Sequence, residues 1–206
     1  MAFEIHPWKV IERGFAPETI RLSESLTATG NGYMGMRGNF EEDFSGDAHI
    51  GTYIGGVWFP DKTRVGWWKN GYPLYFGKSI NAVRLMGVHL AIDGEPIDLA
   101  KCAVADYYRE LDMQTGVTLR TFAVKLAKGT VKVRVERFVS LVQKELLAVV
   151  WTLHDCWPFT GHCAYFDYVA CDRWQTACHH CPPACSTAQA CRCACIPAFW
   201  RGTSIA

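Results

Sequence analysis

Between Val117 and Leu126 the chain is rich in β-branched and aromatic residues, Lys128-Gly129 can turn it, and Val131, Val133 and Val135 then alternate with Lys132, Arg134 and Glu136. A period of two places the three valines on one face of a half-buried strand. Glu145 to Leu153, with its run Leu146-Leu147-Ala148-Val149-Val150, predicts a strand buried on both faces, and periodicity alone leaves a helix open there. Arg84 to Ile92 leads into Asp93-Gly94, a two-residue hairpin signal, and then into Pro96-Ile97-Asp98-Leu99. The first eighty residues alternate short apolar pieces with turn signals such as Phe59-Pro60-Asp61-Lys62 and Lys69-Asn70-Gly71-Tyr72-Pro73, and Arg21 to Thr27 is long enough for one turn of helix. Short strands at this spacing predict an all-β fold, an antiparallel sandwich.

Composition divides the chain. Of 206 residues half are apolar and 20% charged, with a formal net charge of +1, which excludes electrostatic capture of nucleic acid and a highly charged disordered chain. No run of eighteen apolar residues exists and Met1 to Pro7 lacks the regions of a signal peptide, so the expectation is a cytoplasmic protein with no membrane partner. Of ten cysteines only Cys102 precedes residue 155, whereas the segment up to Trp151 holds 18 of the 21 Lys and Arg and 17 of the 20 Asp and Glu. Two compositions therefore meet near Val150, and three stretches follow: 1–150, 151–183 and 184–206.

Gly30-Asn31-Gly32-Tyr33-Met34-Gly35 fits G-x-G-x-x-G, but no buried strand precedes it and Arg37-Gly38-Asn39 stands where a phosphate-binding helix would run. A Gly-rich structural turn is the better reading. Glu41, Glu42, Asp43 and Asp47 lie close in sequence; neighbours along a strand alternate in direction and do not by themselves flank a glycosidic bond, so they are read as a solvated acidic loop. Arg37 and Asn39 are the candidate substrate-binding pair, because a guanidinium fork holds carboxylate, phosphate or sugar hydroxyls, with structural pairing as the competing reading. Trp67, Trp68, Tyr72, Tyr75 and Phe76 concentrate aromatic surface that suits sugar stacking, a core or a seam between domains.

Leu22-Ser23-Glu24-Ser25-Leu26 followed by Gly30-Asn31-Gly32-Tyr33-Met34-Gly35-Met36-Arg37-Gly38-Asn39-Phe40-Glu41-Glu42 resembles the N-terminal segment of glycoside hydrolase family 65, which includes maltose, trehalose and kojibiose phosphorylases. His6-Pro7-Trp8, Gly51-Thr52-Tyr53-Ile54 and the stretch from Pro60 to Pro73 add to it, the last being most similar to the maltose phosphorylase-like branch. The resemblance covers about three quarters of the chain and implies an N-terminal super-β-sandwich, in a family whose (α/α)6 barrel carries the active site and whose members are often homodimers. It implies an inverting phosphorolysis of a disaccharide, in which a glutamic acid protonates the glycosidic oxygen while inorganic phosphate attacks the anomeric carbon. Acid and phosphate site belong to the barrel, so no catalytic residue and no cofactor are expected in this chain. The expectation is a non-catalytic domain fragment, with a carbohydrate-binding or barrel-docking module as the alternative.

Trp151 to Pro182 resembles a stretch of bacterial family 4 glycosyltransferases of exopolysaccharide synthesis, which makes a truncated transferase fusion a further alternative without implying transferase activity. Cys163, Cys171, Cys178 and Cys181 are a candidate zinc set, Cys178-His179-His180-Cys181 being a C-x-x-C unit, although the other spacings fit no common finger. Beyond Pro183 the Ala and Cys bias reads as a disordered or frame-shifted end.

Overall fold

The computed structural model describes residues 2–64, 73–81, 84–92, 94–154, 165–167, 174–178 and 191–197. A hairpin of β1 (Ala2–His6) and β2 (Lys9–Arg13) is followed by a 3-10 turn (Pro17–Thr19) and the short helix α1 (Ile20–Leu26), where a helical turn is predicted. Then β3 (Thr29–Gly30), β4 (Met34–Met36) and β5 (Thr52–Ile54) form a small sheet, and β6 (Trp58–Lys62) pairs with β7 (Tyr75–Ser79) as a separate two-stranded ribbon. After β8 (His89–Ile92) and β9 (Glu95–Pro96) come four long strands: β10 (Ala103–Asp112), β11 (Val117–Leu126), β12 (Gly129–Val139) and β13 (Leu147–His154). The last strands are β14 (Tyr165–Asp167), β15 (Trp174–Cys178) and β16 (Cys191–Pro197).

The main sheet has the order β1-β2-β10-β11-β12-β13-β16-β15, and every pairing between named strands is antiparallel. Its inner face supplies Phe122, Val124, Val131, Val133, Val135 and Trp151 to one buried cluster. Residues of β4, β8 and the segments around them, among them Met34, Leu90, Ile92 and Ile97, close that cluster from the other side. The all-β sandwich expected from strand spacing is present, and burying Val131, Val133 and Val135 on one face stabilises it by roughly 1.5–3 kcal/mol per side chain.

Two sequence expectations change in detail. The strand before Asp93-Gly94 begins at His89 and not at Arg84, because Arg84 donates to backbone carbonyls of residues 40 and 42. The hairpin itself stands: Ile92 pairs with Glu95, and Gly94 has φ +79, which a side chain would strain; Asp93 lies outside the described residues. The run after Glu145 is a strand, beginning at Leu147, but it is not buried on both faces: Leu147, Val149, Trp151 and Leu153 face the core while Ala148 and Val150 are half-buried. A limit drawn at residue 150 falls inside β13, which pairs with β12 from Leu147 to His154.

β10 contains a bulge. Ala105 pairs with Ala123 and Tyr108 with Thr121, so one extra residue sits on β10, and Asp106 takes φ 50. The bulge switches the inward phase: Cys102 and Val104 pack against the core before it, Tyr107, Arg109 and Leu111 after it.

Candidate functional site

The inward phase of three neighbouring strands contains an arginine each. Arg109 shares it with Tyr107 and Leu111, Arg120 with Phe122 and Val124, and Arg137 with Val131, Val133 and Val135, so strand alternation alone forces these guanidinium groups into the interior. Across the sheet, Glu12, Arg109, Arg120, Val135 and Trp151 are successive cross-strand partners in one row. Arg109 and Arg120 thus lie directly opposite each other, an arrangement that is repulsive unless anions flank it.

The anions come from Glu12 and from the segment that the family resemblance singles out. Arg120 forms a two-pronged pair with Glu42, with Nη2 at 2.5 Å from Oε2, and the same Nη2 reaches Glu41 Oε2 at 2.5 Å. Arg137 Nη1 donates to Glu41 Oε1 at 2.9 Å. Arg109 Nε lies 3.4 Å from Glu12 Oε2, an ion pair without a hydrogen bond, and Glu12 Oε1 accepts from Ser23 Oγ at 2.7 Å. The Phe40 ring sits between the cations, its centroid 4.9 Å from the Arg109 guanidinium carbon and 4.8 Å from that of Arg120.

Two of these arginines, together with Arg84, hold the backbone of residues 37–42, which belong to no strand. Arg137 donates to the carbonyls of Arg37 (3.3 Å) and Asn39 (2.9 Å), Arg109 to that of Gly38 (3.1 Å), and Arg84 to those of Phe40 (3.2 Å) and Glu42 (2.7 Å). Gly38 also donates its N–H to Glu24 O at 2.8 Å, and a Cβ there would lie 1.9 Å from Thr27 Oγ1. Only glycine lets the segment pass so close to the end of α1.

These contacts correct the solvated-acidic-loop expectation. Asp47 is exposed and Asp43 half-buried, but Glu41 and Glu42 are 3% and 0% exposed. They are buried because arginines in the inward phase of β11 and β12 compensate them, the condition under which carboxylates enter a core. Burial pushes the Glu41 carboxyl up, but the charges of Arg120 and Arg137 outweigh it and hold its pKa below the usual value. Burial pushes the Arg120 guanidinium down, and Glu42 and Glu41 reverse that shift. In Arg137 burial prevails and its pKa is lowered. A general acid of glycoside cleavage needs a raised pKa and access to the glycosidic oxygen. Glu41 has neither.

Arg37 donates from Nη2 to Arg21 O (2.9 Å) and Ser25 Oγ (2.8 Å), and Asn39 joins Glu24 Oε1 (2.7 Å) to the N–H of Gly51 (3.0 Å). The two side chains meet at Glu24, which also accepts from the N–H of His49 at 2.8 Å. Trp67, Trp68, Cys163, Cys171 and Cys181 lie outside the described residues, and Cys178 is placed only as the last backbone position of β15. Among the described residues no group of three or more His, Cys, Asp or Glu has the arrangement of a metal site, and no helix is long and apolar enough to cross a membrane. The Gly30–Gly35 stretch is a hairpin turn: Asn31 Oδ1 accepts from the N–H groups of Tyr33 and Met34, and Nδ2 donates to Ser140 O (2.6 Å) and Lys144 O (2.9 Å).

Comparison with known proteins identifies the family. Residues 10–160 match the family described as Glycosyl hydrolase family 65, N-terminal domain. The maltose phosphorylase of Bacillus subtilis (strain 168) is 57% identical over 147 residues, which are 71% of this chain and 19% of that enzyme. The α,α-trehalose phosphorylase of Thermoanaerobacter brockii is 32% identical over 165 residues, 77% of this chain and 21% of the enzyme. A solved structure assigned as a kojibiose phosphorylase from the human microbiome superposes with a TM-score of 0.67 at 27% identity, covering 74% of this chain and 20% of the other. The chain spans about a fifth of the length of the relatives it matches. On the match of residues 10–160 and the 57% identity to a maltose phosphorylase, the chain belongs to glycoside hydrolase family 65 and carries its N-terminal domain.

Proposed function

We propose that this chain acts as the non-catalytic N-terminal domain of an inverting disaccharide phosphorylase of the maltose phosphorylase type. The observation that carries the reading is the 57% identity to maltose phosphorylase, confined to a stretch that makes up 19% of that enzyme. The chemistry of the buried cluster supports it, since the Glu41 and Glu42 carboxylates are buried and compensated by arginine. In this reading inorganic phosphate and the disaccharide are substrates of the whole enzyme, no cofactor is bound by the domain, and the (α/α)6 barrel is its partner. Incubating the purified chain with maltose and phosphate under a glucose detector tests it: no release above the blank is expected, and sustained phosphate-dependent release overturns it.

A second reading, a docking module with little or no sugar affinity of its own, is favoured by the exposed apolar residues of the β6–β7 ribbon. Calorimetry against maltose and trehalose separates it from a carbohydrate-binding module, which gives saturable heat. Zinc binding by the Cys-rich tail is an independent proposal, removed by finding less than stoichiometric zinc in the purified protein.

A further inference from the structure

Among the described residues the β6–β7 ribbon joins no other sheet, and all ten of its paired residues except Asp61 are exposed. A two-stranded ribbon on its own is at best marginally stable in water, and large apolar side chains left exposed on it mark a contact surface. Here they occupy both faces. Strand alternation and register place Trp58 and Tyr75 on one face with Pro60, Gly77 and Ser79, and Phe59 on the other with the Lys78–Asp61 ion pair. Trp58 and Tyr75 are each 58% exposed and Phe59 44%. Gly77 is the residue that makes room for the indole: a Cβ there would come within 3.2 Å of Trp58 Cε3. Leu74, next to Tyr75, is 76% exposed.

Rings on both faces suit insertion into a cleft, whereas sugar stacking needs one face. Pro60 has no N–H, which interrupts the outer edge of β6 and disfavours extension of the ribbon by a further strand. The described part of the ribbon and its flanks, residues 57–64 and 73–81, bears Lys62, Arg64 and Lys78 against a single acid, Asp61. A surface complementary to the ribbon is apolar with an acidic rim. Four fifths of each matched phosphorylase lies outside the stretch shared with this chain.

We infer that the ribbon is a plug, inserted through both faces into an apolar, acid-rimmed cleft on the polypeptide that follows this domain in its relatives, with Trp58, Phe59 and Tyr75 as anchors. The inference rests on the domain reading proposed above and names its contact surface.

The test uses the full chain and the remainder of Bacillus subtilis maltose phosphorylase, prepared without its matching stretch and verified to rebind that stretch supplied in trans. Interferometry is expected to show saturable binding of this chain, weakened about tenfold or more by Trp58→Ser with Tyr75→Ser and by Phe59→Ser, the scale of a buried anchor. Met113→Ser, a change at an exposed apolar residue on the β10–β11 turn, is the control and should leave binding unchanged. Circular dichroism and the urea midpoint establish that each variant is folded. If the unmodified chain binds and the ribbon variants bind equally well, the plug is wrong and the domain reading stands. If the unmodified chain fails to bind a remainder that rebinds its own stretch, the docking reading falls as well. Assembly of the chain with itself, or saturable heat with maltose, abolished by Trp58→Ser also overturns the plug.

Discussion

Arg120 holds Glu42 in a two-pronged pair, and no other arginine or lysine is paired with that buried carboxylate among the described residues. Arg120→Met therefore leaves an uncompensated buried charge, and the expected loss is about 3–5 kcal/mol, read as a lower urea midpoint. A loss under about 1 kcal/mol would show that the pair contributes little beyond its own desolvation cost. Acid should act through the same residues. Glu41 has a folded pKa below its ordinary value of 4.5, so its contribution is complete above that pH and is lost as the pH falls through the depressed value. Asp98 behaves alike. Partial burial opposes ionisation, but hydrogen bonds from Ser45 and Ala100 and the Lys101 ammonium prevail and lower its pKa from 3.8 to about 2. The urea midpoint is thus expected to hold steady from neutral pH to about pH 5 and to fall between about 4.5 and 2. A midpoint unchanged at pH 3 would contradict the burial of ionised Glu41.

At the scale of elements, the legible strands were those whose alternation is uninterrupted. Val131, Val133 and Val135 announce β12, and Asp93-Gly94 announces the turn between β8 and β9. β10 was hidden for a physical reason: the bulge at Asp106 exchanges its inward phase, and an arginine occupies an inward position after it. The buried arginines were in principle readable, since Arg137 continues the phase of the three valines and Arg120 that of Phe122, Val124 and Leu126. What the pattern alone does not contain is their counter-charge, because Glu41 and Glu42 come from 78 or more residues away and meet Arg120 only in the folded chain. Asp106→Val tests the bulge. A β-branched residue at φ 50 should cost about 1–2 kcal/mol, seen in the thermal midpoint, whereas Asp106→Gly should cost far less. Equal effects of the two substitutions would mean that the positive φ is not what the sequence provides for at this position.

On the scale of the whole molecule, the family resemblance and the strand pattern describe the same object from two sides. The segment Arg37 to Glu42, which contains the candidate substrate-binding pair Arg37 and Asn39, is clasped by Arg84, Arg109 and Arg137 and ties α1 to the main sheet. Its polar side chains are hydrogen-bonded or ion-paired within the domain, and the apolar ribbon is the contact surface inferred above. A domain built in this way should work when joined to the rest of a related enzyme. The direct measurement is maltose phosphorolysis by a chimera in which residues 10–154 of this chain replace the matching stretch of Bacillus subtilis maltose phosphorylase. Activity within roughly tenfold of the parent, a barrier change of about 1.4 kcal/mol or less, is the predicted result. A chimera that folds, stays soluble and lacks phosphorolysis would contradict it.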